Sequence, residues 1–244
     1  MMLKSTDTPA KISSDAAGCT FQSTPYPVEI SGSHYTVWDT AGLNEATTVP
    51  AKDAVTNAFK LIQKLQGGIC LLLYVIRGPR VKEFTIKNYQ MFYEGFCQKN
   101  VPIILVVTGL EEEDDMDDWW TRNKWVFDRK GMSFSGQACI TASKGKWKAS
   151  RQVFAYEEEY QESMGKVTRL IKQHALKQPW RMDLAKWYKV AAKGLWNFVA
   201  KIFDWPLLSY CKALTDALKQ YAGFSDKEAT TVSNEVVIEV KKGA

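Results

Sequence analysis

Histidine is almost missing from this sequence: His34 and His174 are the only two. Imidazole-based metal ligation and a Ser-His-Asp relay each need a histidine beside a specific partner, so two isolated ones leave little for either chemistry. Cysteine is scarce and unpatterned. Cys19, Cys70, Cys97, Cys139 and Cys211 are odd in number and never stand in a C-x-x-C spacing, which argues against a zinc site or a disulfide framework. Reduced, buried thiols in a cytosolic protein are the expectation. Long apolar runs are missing as well: the longest, Ile69 to Ile76, falls far short of the ~20 residues a membrane span requires. Met1 to Ala17 contains no apolar core of a secretory signal. The chain is expected to be cytoplasmic, neither secreted nor transmembrane.

What is present suits an ordinary globular chain. With 244 residues, 45% hydrophobic and 24% charged, it can form one α/β domain and an appendage. Tyr26–Ile30 and His34–Trp38 flank Ser31-Gly32-Ser33 and predict a hairpin. Val55, Ala58, Phe59, Ile62 and Leu65 stand at helical spacing, and Gly67-Gly68 stops that helix. Ile69–Ile76 and Pro102–Val107 read as strands covered on both faces of a parallel sheet, with a shorter one at Gln137–Thr141. Helices are predicted over Glu83–Cys97, Asp117–Phe127 and Val153–Leu176. Strands alternating with helices imply right-handed crossovers and an open, mostly parallel sheet. Beyond Pro179 come two amphipathic stretches, Leu184–Phe203 and Leu207–Tyr221, and then a polar tail whose one apolar stretch is Val236 to Val240. The implied divisions are an N-terminal segment over 1–17, the α/β domain over 18–178, an amphipathic helical extension over 179–223 and a tail over 224–244.

The residues with chemical potential cluster where strands end. Trp38-Asp39-Thr40-Ala41-Gly42 closes a strand, the place where α/β sheets bind ligands. An aspartate there can hold a Mg²⁺-bound water, and the glycine lets a backbone N–H approach a phosphate. A D-x-x-G turn alone is common. Two further turns add weight: Thr108-Gly109-Leu110-Glu111 and Thr141-Ala142-Ser143-Lys144, each following an apolar strand.

This succession resembles the P-loop GTPases, or G-domain proteins, in their septin-like and AIG1-like branch with its fungal G-domain-containing members. The resemblance covers Gly18 to Leu176. It implies a three-layer P-loop NTPase-like fold, guanine nucleotide as partner, and GTP or GDP with Mg²⁺ as cofactors. By position, Thr20 corresponds to the switch I threonine that reaches Mg²⁺ and the γ-phosphate. Asp39, Thr40, Ala41 and Gly42 correspond to the switch II motif, with Asp39 on the metal side. Thr108 to Glu111 stand where the family has [N/T]-K-x-D, whose carboxylate accepts two hydrogen bonds from guanine. Ser143 and Lys144 fall where backbone N–H groups meet the guanine oxygen. No side chain is implied as a covalent catalyst, because catalysis in this class is positioning plus charge stabilisation.

The sequence departs from the family pattern in three places. Gly109 replaces the lysine of the guanine motif and Glu111 its aspartate, which loosens guanine selectivity. Leu43 stands where small GTPases keep a water-positioning glutamine, which predicts slow hydrolysis. No G-x-x-x-x-G-K-[S/T] occurs anywhere, so the nest of N–H groups and the lysine that neutralise the phosphates are absent from the sequence. The fold is therefore expected to be N-terminally incomplete, with nucleotide binding impaired. The gap beside the Ile69 strand has three expected outcomes: a shifted sheet, insertion of Val236–Val240, or a truncated chain. A degenerate G fold that binds no nucleotide and acts as an interaction module is the alternative function.

Glu111 to Asp118 carries seven carboxylates in eight positions without the turn glycine of an EF-hand loop. A solvated acidic loop is expected, with Asp117-Asp118 capping the helix that follows. Lys166 to Tyr221 holds eleven Lys/Arg against three Asp, interleaved with Trp180, Trp187, Trp196 and Trp205. These tryptophans either dock two helices on the domain while the lysines reach outward, or residues 184–221 meet a protein partner or an anionic membrane surface. No nucleic-acid module is recognisable, so nucleic acid is not an expected partner. The GTPase reading as a whole requires the turns at Asp39, Thr108 and Thr141 to converge on one rim of one sheet.

Overall fold

The computed structural model describes residues 23–40, 51–78, 83–203 and 206–242. β1 (Thr24–Ile30) and β2 (Ser33–Asp39) form an antiparallel hairpin. Its turn residues Ser31 and Gly32 both have positive φ, 50° and 78°, a geometry whose twist matches that of paired strands. There follow α1 (Ala51–Lys64), β3 (Leu72–Arg77), α2 (Glu83–Tyr89), β4 (Ile103–Thr108), α3 (Met116–Asp128) and β5 (Gly136–Cys139). The last three strands form a parallel sheet in the order β3-β4-β5.

β4 is apolar along its length because both of its faces are covered. Ile103, Leu105 and Val107 pack with Tyr89, Met116, Trp119 and Phe127 from α2 and α3. Ile104 and Val106 point the other way, toward Val167 and Ile171 of α4 (Glu157–His174) and toward Val28 and Ile30 of β1. These are the three layers the sequence implies. Each fully buried aliphatic side chain contributes about 1.5–3 kcal/mol, so the central strand has no room for a polar residue. The hairpin forms its own two-stranded sheet, and among the described residues no ladder joins it to β3. Among the described residues β3 is thus an edge, and its Val75 is 59% exposed.

Several expectations are corrected. α4 begins at Glu157, not Val153, because Val153–Phe154 (β7) pairs with Trp147–Lys148 (β6) in a second short hairpin. α2 runs on as a π-helical segment, Gln90–Phe96. The cap of α3 is Asp115, whose Oδ1 accepts the Asp117 N–H at 2.8 Å, while Asp117 and Asp118 occupy the first turn. Asp115→Ala is expected to lower stability by about 1 kcal/mol, measured as a shift in the urea midpoint.

The largest correction concerns the C-terminal region. Residues 224–244, read as a tail, contain α7 (Asp226–Lys242). Gly223, at φ 70°, ends α6 (Leu207–Ala222). Ser225 and Glu228 then form a reciprocal capping box: the Glu228 N–H donates to Ser225 Oγ at 3.3 Å, and the Ser225 N–H to Glu228 Oε2 at 2.9 Å. Ala229, Val232 and Val236 bury in one cluster with residues of α1, α6 and α5 (Leu184–Phe203). Val236–Val240 is therefore helical and does not enter the sheet.

That cluster docks the C-terminal helices on the α/β domain. Trp187 is 2% exposed, and its Nε1 donates to the Phe96 carbonyl oxygen, at the end of the π-helical segment, at 2.9 Å. Gly95 and Gly194 face each other across this contact, where a Cβ on Gly95 would meet Gly194 Cα at 3.5 Å, an ordinary van der Waals distance. Trp180 meets Trp187 edge-on at 5.7 Å and bridges Ile69 through its backbone. Lys189 and Lys219 reach Glu235 and Asp226 of α7 at 3.7 and 2.6 Å, so α7 offsets part of the positive charge of the extension. Two of the four tryptophans thus serve docking; the side chains of Trp196 and Trp205 lie outside the described residues. Among the described residues, no helix is long and apolar enough to cross a membrane.

Candidate functional site

Parallel pairing brings the ends of β3, β4 and β5 to one rim. In register, Arg77 stands opposite Thr108, and Val107 opposite Cys139. The Gly78 N–H donates to the Thr108 carbonyl at 2.8 Å, and Thr108 Oγ1 donates to the Ile76 carbonyl at 3.3 Å. Gly109 follows at φ 78°, and a Cβ there would stand 3.2 Å from Arg77 Cγ. The absence of a lysine side chain at 109 thus leaves space that Arg77 occupies. Leu110 is buried and anchors the turn, leaving Glu111 half-buried beside it.

The third turn is held by its own hydroxyls. The Thr141 N–H donates to Ser163 Oγ on the buried face of α4 at 3.1 Å. Thr141 Oγ1 donates to the Ser143 carbonyl at 3.0 Å and accepts the Ser143 N–H at 3.2 Å; Ser143 Oγ accepts the Gly145 N–H at 3.0 Å. The Lys144 ammonium pairs with Glu157 at 2.9 Å and lies 5.5 and 5.4 Å from the centres of the Phe154 and Tyr160 rings. This contact, with a second from Gln161, holds the Glu157 carboxyl below the usual range. The contact is therefore present above the ordinary carboxylate pKa and lost as pH falls through the lowered one. The Tyr156 hydroxyl donates to Glu112 and ties the acidic loop after Thr108 to the residues after Thr141. Among the described residues, the Ala142 and Lys144 backbone N–H groups have no acceptor.

Asp39 stands in the hairpin sheet, not in the sheet that carries this rim. It ends β2 opposite Thr24 in the separate hairpin sheet. At that end, Lys64, the last residue of α1, donates to the Ser23 carbonyl at 3.2 Å and lies 5.7 Å from the centre of the Trp38 ring. No hydrogen bond or ion pair joins Asp39 or Thr40 to the Thr108 or Thr141 turns among the described residues. Two of the three expected turns therefore share a rim; of the third, only Asp39 and Thr40 are described, at the end of a strand of the hairpin sheet. Thr20, Ala41, Gly42 and Leu43 lie outside the described residues.

The residues that support the site, Ser163, Tyr156, Glu157 and Arg77, escaped the sequence reading. Ser163 shares a helical face with Tyr160, Val167 and Ile171, a spacing visible in the sequence; the pairings of the others join distant segments. Burial pushes the Cys97 thiol up to about 12 and the Cys139 thiol up to about 11, so both stay protonated at neutral pH. Among the described residues, no group of three or more His, Cys, Asp or Glu side chains is placed to hold a metal ion. An open cleft of about 440 Å³ lies between α3 and α4 along β5, lined by Trp120, Gln137, Lys166 and Arg169, but it includes none of the rim residues.

A parallel sheet with helices on both faces and two hydroxyl-braced turns on its carboxyl rim is an α/β fold of the P-loop GTPase-like type. Residues 2–109 match the family described as 50S ribosome-binding GTPase, a match that ends inside the Thr108 turn. It supports a GTPase G domain at that level. No curated protein matches the chain.

Proposed function

We propose that this protein is a GTP-binding G-domain protein of the GTPase type, in the septin-like and AIG1-like branch, with weak nucleotide binding and slow hydrolysis. The observation that carries the reading is the shared rim of the Thr108 and Thr141 turns, bridged by Tyr156 and Glu112. In this reading Glu111 accepts hydrogen bonds from the base. The base oxygen meets the Thr141 turn, where the Ser143 N–H is already taken by Thr141 Oγ1. The Lys144 N–H, without an acceptor among the described residues, is the better donor. Thr20, Asp39, Thr40, Ala41 and Gly42 would serve the phosphates and Mg²⁺. With no phosphate-loop motif in the sequence, affinity is weak.

The test is a titration of the purified chain with labelled GTP and Mg²⁺, with ATP as competitor. Weak binding that GTP and GDP compete for better than ATP is the expected result. Sub-micromolar affinity overturns the impairment, and no preference for guanine overturns the base site.

The second reading is a degenerate G fold acting as an interaction or peripheral membrane module. What favours it is the docked α5–α7 unit, on which Leu208 is 85% and Ile238 53% exposed. Flotation with anionic and neutral liposomes checks it, and absence of flotation removes the membrane form.

A further inference from the structure

The β6–β7 hairpin lies immediately beyond the Thr141 turn and has no part in the base site. Ala142 to Tyr156 contains Lys144, Lys146, Lys148 and Arg151 and no acidic residue. Lys144 is engaged by Glu157, whereas Lys146, Lys148 and Arg151 are exposed and have no ion pair among the described residues. In sequence Trp147 stands between Lys146 and Lys148; it is 54% exposed, and its ring makes a T-shaped contact with Phe154 at 5.1 Å and 70°. An isolated two-stranded hairpin is marginally stable. This one is tied down at its base by the Ala155 N–H on the Lys146 carbonyl and the Tyr156 N–H on the Lys144 carbonyl, both at 2.9 Å.

We infer that this hairpin binds single-stranded nucleic acid, with an unpaired base stacked on Trp147 and adjacent phosphates held by Lys146, Lys148 and Arg151. A half-exposed indole braced by a neighbouring ring is a stacking platform, and cations nearby in the hairpin supply the phosphate contacts. A duplex is a poor fit, because its base faces are covered and arms of two residues do not fill a groove. A membrane is a poorer one: the tip, Ala149 to Gln152, is polar and exposed, and the aromatic rings lie behind it. Of the carboxylates at the base, Glu112 and Glu157 are engaged by Tyr156 and Lys144, and Glu111 and Glu159 also lie near Tyr156. They leave the tip side cationic.

The test measures anisotropy of a labelled single-stranded oligonucleotide, as RNA and as DNA of one sequence, against the full chain over a salt series. Binding is expected with a slope of log affinity on log salt of about −2, the value for three phosphate contacts on a single strand. Trp147→Ala is expected to weaken binding at least about fivefold, and Trp147→Phe to restore part of it. Joint replacement of Lys146, Lys148 and Arg151 by Glu is expected to abolish it, while Lys130→Glu on the far end of α3 changes nothing. Thermal unfolding of each variant controls for folding. A preference between RNA and DNA supports the site and reports on the 2′-hydroxyl. Equal binding by Trp147→Ala and the unaltered chain overturns the proposal. So does salt-insensitive binding, or failure to bind either oligonucleotide, whether or not anionic phosphatidylserine vesicles are bound instead.

Discussion

Trp187→Ala is expected to lower the unfolding free energy by about 3–5 kcal/mol. The ring is buried among α1, α5 and the π-helical segment, in a cluster with Phe59, Met91 and Phe96, so its removal leaves a cavity the backbone cannot close. It also leaves the Phe96 carbonyl without its indole donor, and the Trp180 ring without its edge-on partner. Trp187→Phe separates the two effects, since it keeps most of the volume and loses the donor, at about 1–3 kcal/mol. Chemical denaturation gives the magnitudes, and amide exchange gives the location. Protection is expected to fall over α5 to α7 and to persist in β4, whose packing is independent of Trp187. A midpoint unchanged by the alanine would mean that α5 is not held by this side chain.

The second large effect lies at the rim. Gly145 adopts φ 72°, and a Cβ there would stand 2.5 Å from Tyr156 Cδ2 and 2.9 Å from Ala155 Cβ. Gly145→Val combines a branched side chain in the left-handed region with a clash against both neighbours, and is expected to cost about 2–4 kcal/mol. To relieve the clash, Tyr156 must move and release Glu112, and the Gly145 N–H must leave Ser143 Oγ. Guanine-nucleotide binding, where measurable, is expected to vanish with it. Gly131→Ala is the control: it sits at φ 68° with nothing near its missing Cβ, so backbone strain alone is felt, about 1 kcal/mol. Melting temperatures of the two variants decide the matter. If they coincide, steric contact at Gly145 is not what shapes the turn.

Much of the fold was legible because its signals are local. The continuous apolar runs became β3 and β4, and the Ser31-Gly32 turn became a hairpin turn with two positive φ values. α7 was equally legible and was missed. Gly223, the Ser225-x-x-Glu228 box and the spacing of Ala229, Val232 and Val236 all announce a helix, but the polar composition around Thr230 to Asn234 and the β-branched Val236-Val237-Ile238 drew attention to an extended reading. Packing against α5 and α6 overrode that β propensity. The start of α4 failed for another reason. Val153 fits the helical period, but the ladder with Trp147 and Lys148 captures it, and a cross-strand partner is invisible to a one-dimensional period.

Local pattern in the chain is enough to specify the α/β alternation, the central buried strand and the three candidate turns, and it shows no phosphate-loop motif. Each is written in neighbouring residues whose spacing dictates which side chains face together. That the Thr108 and Thr141 turns meet follows from packing between elements. Parallel pairing set Thr108 and Thr141 on one rim, while Asp39 ends a strand of a separate sheet. It also set Ser163, Tyr156 and Glu157 behind the turns, and raised Trp147 on a hairpin. Contacts between segments far apart in the chain depend on how whole elements pack, and no local pattern encodes that.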